Sequence, residues 1–525
     1  MPRQDPIELE LFRHLTASIC GEMGIVLRKT AFSVNIKERR DYSCAVYDAA
    51  GETVAMGDHM PVHLGAMPES VRHVRDAFDL RPGDVAIVND PFRGGTHLPD
   101  ITAVAGVFLE GERKPRFYLA NRAHHADVGG MSPGSMPLAR EIYQEGIRIP
   151  PVLLAERGQL NRPLLDLILA NVRTPAEREG DLLAQMMSIE RGRARLLDAV
   201  ARYGITRVER NLRELCAYSE GMMRARLASL RPGVYRFEDA LDNDGVFQRP
   251  VRIAVAITLG GSRAIVDFSD SDPQAAGPVN ANHAVTRSAV SYVFRCLIHE
   301  DVPFTSGLTR PIQIVNPEGL VTNAGPPAPM AAGNVETSQR ITDVLLGALA
   351  LAEPGAIAAA SSGTMNNISF GGWDAARNRP FAYYETIAGG GGAHRDGPGL
   401  HATHSHMTNS LNTPVEAFEH EYPVRVRRYA IRRGSGGRGR HPGGDGIHKE
   451  LEFLADAELT ILSDRRQTRP YGLTGGEPGQ PGRNRVNARA VPGKVRMAVR
   501  AGDVVSIESP GGGGWGFVES SDDPL

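Results

Sequence analysis

The sequence predicts a mixed α/β (α+β), multidomain protein. An N-terminal α/β region with a helical hairpin spans residues 1–232, and a β-rich region with glycine-dense loops spans 233–525. Three observations predict this. At 525 residues the chain exceeds what one hydrophobic core usually serves. In the first half, short apolar runs bounded by turns alternate with long amphipathic stretches. Gly 58 and Pro 36 are high for this length, and the glycines crowd into the second half, where loop-built surfaces should dominate.

From Pro6 to about Thr30, Leu11, Leu15, Ile19, Met23 and Val26 or Leu27 recur at three- and four-residue steps, which predicts an amphipathic helix. Short strands follow at SCAVYDA (43–49), DVAIVNDP (84–91), ITAVAGVF (101–108) and RFYLANR (116–122). The last two flank the turn Glu110-Gly111 and read as an antiparallel pair. Thr174 as N-cap and Pro175 at the first helical position open a long helix that runs to Tyr203-Gly204. A second helix, about Thr206 to Leu230, stops at Arg231-Pro232-Gly233, and the end of this hairpin marks the domain boundary. Beyond it, 234–241, 251–259 and 263–269 read as strands, with the turn Gly260-Gly261 joining the last two. Helices are expected at Ser288 to His299 and Thr337 to Leu351. Glycine clusters at 389–392, 434–446, 475–482 and 511–514 share no fixed period, so neither a solenoid nor a propeller is indicated.

Composition excludes several classes of function. Hydrophobic residues at 41% and charged residues at 23% are ordinary for a soluble globular protein. With 59 basic against 61 acidic residues, a net charge of −2 gives no reason to expect nucleic acid as a partner. Cys20, Cys44, Cys216 and Cys296 lie far apart with no CxxC pair, which supports neither a disulfide framework nor a thiolate zinc site and fits a reducing cytoplasm. No signal peptide and no run of eighteen apolar residues is evident, so no membrane association is expected.

The chemistry is concentrated between Asn89 and Gly130. NDPFRGGTHLPD and NRAHHADVGG bring His97, Asp100, His124, His125 and Asp127 onto loops. Imidazole with carboxylate is a donor set that divalent Mn, Zn or Fe accepts. His97 and Asp100 immediately precede one strand of the antiparallel pair and His124 follows the other, so pairing would bring the start of one beside the end of the other. These three are the candidate metal ligands. His125 should face the other way in extended chain, and Asp127 is a fourth ligand or an orienting partner. HMPVH adds His59 and His63, with Pro61 between them favouring a loop, as further pocket residues. AAGNVETSQR offers Asn334, Thr337, Ser338 and Arg340 at a helix start, an arrangement suited to phosphate or carboxylate. Gly389, Gly390, Gly391 and Gly392, followed by His404 and His406, form a second candidate anion loop. GSGGRG at 434–439 is followed by RHPGGDG in place of a helix, so it is no dinucleotide fingerprint. There is no GxxxxGK[ST], GxSxG or HExxH, which leaves no recognisable ATP site, triad hydrolase or zincin.

The runs SVNIKERRDYSCAVYD, GDHMPVHLGAMPESV, NDPFRGGTHLPDIT, NRAHHADVGG, AAGNVETSQRITD, YYETIAGGGGA, HMTNSLNTPVEAFEHEYP and PGGGGWGF occur in order across nearly the whole chain. Together they resemble the hydantoinase B/oxoprolinase family. The resemblance implies a B subunit working with a separate A subunit of actin-like ATPase fold in a hetero-oligomer. In such a complex the A subunit uses ATP to phosphorylate the carbonyl oxygen of a cyclic amide or ketone, and the B subunit processes the product. It also implies a metal on a His-x-x-Asp pair and a later His, which falls here on His97, Asp100 and His124. The expectations that follow are metal-assisted hydrolysis of the phosphorylated substrate, Asp127 or His125 as general base or orienter, and phosphate held by Gly389–Gly392 with Asn334, Thr337 and Ser338. Two alternatives are a subunit of an ATP-dependent ketone carboxylase and a non-catalytic scaffold for the A subunit.

Overall fold

A computed structural model describes residues 5–57 and 60–518. Helix α1 (Pro6–Thr30) starts where the Asp5 side chain accepts the Ile7 N–H at 3.0 Å, with proline in its first turn. Its buried stripe includes Ile19, Met23 and Leu27, as read from the periodicity, but takes Phe12 in place of the expected Leu11, which is exposed. A four-residue helix α2 (Val34–Lys37) leads into a seven-stranded sheet. Its strands are β1 (Tyr42–Asp48), β2 (Thr53–Met56), β3 (Val85–Val88), β4 (Asp100–Val107), β5 (Phe117–His124), β6 (Val152–Glu156) and β7 (Gln159–Leu160). The spatial order is β2-β1-β5-β4-β3-β6-β7, with every pair antiparallel.

Both faces of this sheet are covered. Helix α3 (Ala66–Ala77) presses Met67, Val71 and Val74 against Val104 and Ala120, while Ala103 and Leu119 on the opposite face meet the α1 side. Adjacent residues of a strand point to opposite faces, which is why these strands read as continuous apolar runs without alternation. After α4 (Arg162–Leu169), the hairpin expected from sequence forms as α5 (Pro175–Tyr203) and α6 (Ile205–Ser229). Gly204, at φ 78°, makes the left-handed joint between them without the steric cost of a side chain. Thr174 precedes α5, but its hydroxyl caps no backbone N–H and meets the Arg178 guanidinium at 3.4 Å instead.

The remainder is β-rich. Strands β8 (Gly233–Leu241), β9 (Val251–Gly260), β10 (Arg263–Asp267) and β11 (Ile312–Val315) form one sheet, covered by α7 (His283–Cys296) and α8 (Ser338–Ala352). Helix α7 begins five residues earlier than its apolar spacing suggests, because Asn282 caps it by accepting the Val285 N–H at 3.0 Å. Two further sheets bury a shared core. One contains β12 (Asn367–Asp374), β13 (Arg379–Glu385), β16 (Ala457–Leu462) and β19 (Lys494–Val499). The other contains β14 (Val424–Arg432), β15 (Gly446–Phe453), β17 (Arg483–Val486), β18 (Arg489–Val491) and β20 (Val504–Glu508), with α9 (Val415–Glu421) beside it. No described helix is long and apolar enough to cross a membrane.

The glycine clusters pack backbone on backbone. A Cβ on Gly390 would fall on the Gly444 carbonyl oxygen and the Gly512 nitrogen, neither of which is the end of a flexible side chain. Gly390→Ala is therefore expected to destabilise the β-rich part by about 1–3 kcal/mol, the usual range for overpacking. Thermal denaturation of the variant checks this, and an unchanged melting temperature would contradict it.

Candidate metal centre

The register of β4 and β5 decides the site: Asp100 and His124 are direct cross-strand partners, so two side chains far apart in sequence leave neighbouring strand ends. His97 precedes β4 on a loop that is tied down at several points. The Asn89 amide donates to Leu98 O at 2.7 Å and Ile147 O at 3.0 Å, and its oxygen accepts the Ile149 N–H at 2.6 Å. The Asn282 amide donates to the Pro91 and Gly95 carbonyls. The cap of α7 thus also positions the loop that carries the histidine.

His97 Nε2 lies 3.2 Å and His124 Nδ1 3.3 Å from Asp100 Oδ1, and the ligand atoms of the three residues are all within 4.8 Å of one another. Bonds of about 2.0–2.2 Å to a shared ion place donor atoms roughly 3.0–3.5 Å apart, so the two spacings about Asp100 Oδ1 fit a first-row divalent cation. The three are 0%, 1% and 3% exposed in the order His97, Asp100, His124. Buried polar atoms are costly without partners, yet His124 Nε2 and Asn334 Oδ1 have none.

The second oxygen of Asp100 is held by the Thr96 hydroxyl at 2.8 Å, the Asn334 amide at 3.2 Å and His63 Nε2 at 3.5 Å. His63 Nδ1 in turn meets Ser43 Oγ at 2.8 Å. His97 Nδ1 faces Ala331 O at 3.2 Å. A carbonyl only accepts, so Nδ1 carries a proton, and Nε2 is turned to Asp100 with the Asn334 amide 3.0 Å from it. The His124 ring stacks on Tyr384 at 4.4 Å, and the Tyr384 hydroxyl donates to Asn367 Oδ1 at 2.7 Å.

Burial opposes ionisation of Asp100, but His97, His124 and His63 outweigh it and hold the carboxyl well below its usual range. Burial lowers His63 and His124, which keeps both imidazoles neutral. A carboxylate held ionised beside two imidazoles, His63 and His124, that burial keeps neutral suits a cation's demand for deprotonated ligands.

Other expected site residues lie elsewhere or do other work. His125 Nε2 meets Gln185 Oε1 at 3.0 Å on the α5 side of the sheet. Asp127 accepts from the Gly129, Gly134 and Arg173 N–H groups and pairs with the Arg173 guanidinium at 3.0 Å. The base-or-orienter role expected of these two has no contact with the trio behind it. His59 lies outside the described residues.

The anion-cradle expectation needs correcting. The N–H groups of Gly389, Gly390, Gly391 and Gly392 are taken by Thr403 O, Pro510 O, Leu400 O and Ser361 Oγ, which leaves none for a phosphate. The expected helix start at Thr337 is not open either, because a π-turn (Gly333–Thr337) precedes α8. Thr337 donates to Val279 O, Ser338 to Asn334 O at 2.7 Å, and Arg340 pairs with Asp239 and Asp464 at 3.1 Å each. Only Asn334 of that set reaches the trio, and the wider turn of a π-bulge aims it there. His404 Nε2 meets Asn412 at 3.2 Å, and His406 Nδ1 faces the Tyr292 hydroxyl at 3.4 Å while its Nε2 is buried without a partner.

Sequence reasoning missed Thr96, Ser43 and Tyr384. Thr96 adjoins His97 in the chain. The others come from distant segments, and no local signal marks them.

On the same π-turn, the Glu336 carboxyl accepts from Asn367 at 2.7 Å. Burial, reinforced by the charge of Asp464, pushes it up to about 8, and burial pushes Glu145 up to about 8 as well. Both stay protonated in the folded chain, whereas the unfolded chain releases those protons above its ordinary value of 4.5. Their stabilisation is full below that value and is lost as pH rises through about 8. The melting temperature should therefore fall between pH 6 and 8.5, and Glu336→Gln should flatten the decline. Parallel profiles of wild type and variant would contradict this.

Comparison with known proteins gives a consistent picture. The hydantoinase B/oxoprolinase family model matches residues 5–518. The chain is 36% identical over 546 residues to 5-oxoprolinase 1 of Arabidopsis thaliana, covering 98% of this chain but 42% of that protein. Among solved structures it is similar to the ATP-dependent caprolactamase from Pseudomonas jessenii, with a TM-score of 0.90, 29% identity, and 98% and 91% of the two chains covered. An acetone carboxylase structure shares the fold with a TM-score of 0.87 at 18% identity, covering 98% of this chain and 76% of that one.

Proposed function

Because the chain belongs to the hydantoinase B/oxoprolinase family, we propose that it is the B subunit of an ATP-dependent cyclic-amide hydrolase. Its substrate would be activated by phosphorylation on a partner ATPase of the A type, with which it forms a hetero-oligomer. The family members named above include an oxoprolinase and a caprolactamase, both of which act on cyclic amides, and this favours hydrolysis. The chain spans about two fifths of the plant 5-oxoprolinase. The likeness to acetone carboxylase supports the fold alone. The four cysteines form no disulfide among the described residues, which fits a cytoplasmic location.

The observation that carries the proposal is the convergence of His97 Nε2, Asp100 Oδ1 and His124 Nδ1. These would hold a divalent Mn, Zn or Fe ion. When bound, such an ion supplies Lewis acidity and an acidified water. The chain's own residues perform the rest. Thr96, Asn334 and His63 occupy Asp100 Oδ2 and so turn Oδ1 toward the imidazoles. Tyr384 sets the plane of His124, and Ala331 O keeps the proton of His97 on Nδ1. Burial of the trio keeps bulk water from an activated amide, whose O-phosphorylated carbon is already electrophilic. Asn334 Oδ1, buried and unpartnered, would accept from a substrate N–H.

The test is co-purification with an A-type ATPase and assay of ATP turnover with hydantoins, 5-oxoproline and caprolactam. Ring opening coupled to ATP hydrolysis is expected. Turnover only with a ketone and bicarbonate would move the assignment to carboxylation. Complex formation with no metal binding would leave a scaffold.

A further inference from the structure

We propose that Glu145 is a positioning residue for the trio. Its buried carboxyl would clamp the Met330–Ala331 backbone, so that the Ala331 carbonyl holds His97 as the Nδ1–H tautomer with Nε2 turned to Asp100. This inference rests on the reading of the trio as a metal centre.

Glu145 Oε1 accepts two successive backbone N–H groups, from Met330 at 2.8 Å and Ala331 at 2.9 Å. The carbonyl of that same Ala331 receives His97 Nδ1–H at 3.2 Å. The path from carboxyl to imidazole therefore runs through a single residue, Ala331. The same clamp fixes the start of the π-turn, since the Gly333 N–H returns to Met330 O at 3.1 Å, and Asn334 follows directly. Glu145 thus sits behind two groups that meet at Asp100: the imidazole of His97 and the amide of Asn334.

Glu145 is itself held firmly. It ends a 3-10 turn, Ile142–Gln144, closed by a capping box between Glu141 and Gln144. The Ile142 N–H donates to Pro327 O at 2.9 Å, which ties this turn to the loop that Glu145 clamps. Gly130 passes so close that a Cβ there would lie 2.5 Å from the Glu145 carbonyl carbon. The side chain is fully buried, and its second oxygen, Oε2, has no partner. Among the described residues no cation pairs with it, and burial keeps it protonated near neutral pH. The clamp is then a neutral acid whose carbonyl oxygen does the work, and glutamine can reproduce that geometry. A hydrophobic residue of similar volume cannot, because it leaves two buried N–H groups unpaired. Partners that orient a metal-binding imidazole typically change metal affinity by 10–100-fold when removed.

The experiment uses the full chain, wild type and the variants Glu145→Gln, Glu145→Met and Glu145→Asp. Zn²⁺ affinity is measured by chelator competition, and the His97 tautomer by long-range ¹H–¹⁵N spectra assigned against His97→Ala. Glu145→Met should bind Zn²⁺ about 10–100-fold more weakly and lose the His97 Nδ1–H signature. Glu145→Gln should keep both close to wild type. Glu145→Asp, one methylene short, should fall between them, and it keeps the test decisive if the methionine variant does not fold. Wild-type affinity and tautomer in both the methionine and aspartate variants would overturn the proposal, as would a glutamine variant as weak as methionine. If wild type itself binds no Zn²⁺, the metal reading fails, and the tautomer signature alone then decides the clamp.

Discussion

Asp100→Asn is expected to remove metal binding and coupled ring opening while leaving the fold intact. Asp100 is the anion among His63, His97 and His124, and Asp100 Oδ1 is the atom on which His97 and His124 converge. Asparagine keeps the volume and one acceptor but removes the charge that balances a divalent ion in a fully buried setting. Loss of a direct ligand should exceed the 10–100-fold cost of losing an orienting partner, so affinity is expected to drop by at least about 100-fold. Turnover with the A-type partner should drop at least as far. Metal analysis of the purified variant and the coupled ATPase assay read the two effects separately. Full occupancy with normal turnover would remove the trio from the chemistry.

The largest effect on stability is expected from Asp464→Ala. The Asp464 carboxylate accepts from Arg340 at 3.1 Å and Lys494 at 2.6 Å, and also from the backbone N–H groups of Asp242 and Arg465. Burial works against its ionisation, but Lys494 and Arg340 prevail and hold it at about 2. Removing one member of such a network strands another: Lys494 would keep its charge in a buried site without its ion-pair partner, while Arg340 would keep Asp239 and Asp343. Breaking a buried pair in this way typically costs about 3–5 kcal/mol. Urea denaturation should show that loss, and a change within about 0.5 kcal/mol, the range of neutral surface substitutions, would refute it. The depressed carboxyl also sets a sign. Its contribution is present above its ordinary value of 3.8 and is lost as pH falls through about 2.

Legibility differed between the site's parts for identifiable reasons. His97, Asp100 and His124 could be chosen because the apolar runs before and after the Glu110-Gly111 turn implied a hairpin, and a hairpin brings its two outer ends together. The phosphate loops failed because composition cannot tell a glycine that approaches a ligand from one that approaches another backbone. Gly390 and Gly392 are of the second kind, stacked on Gly444, Gly512 and Ala359. Arg340 failed for a related reason: a guanidinium near a helix start looks the same in sequence whether it faces an open pocket or Asp239 and Asp464.

By itself, the sequence determined what depends on local periodicity and on one short-range pairing: helix α1, the hairpin α5–α6, strands β4 and β5, and the three residues at the strand ends. Tertiary structure alone decided what surrounds them. Asn334, Ala331 and Tyr384 reach the trio from more than 200 residues away, and Glu145 acts through one of those segments. Hydrogen bonds across such separations leave no periodicity along the chain. They exist only because packing brings those backbones to the same few ångströms, where each buried donor must find an acceptor.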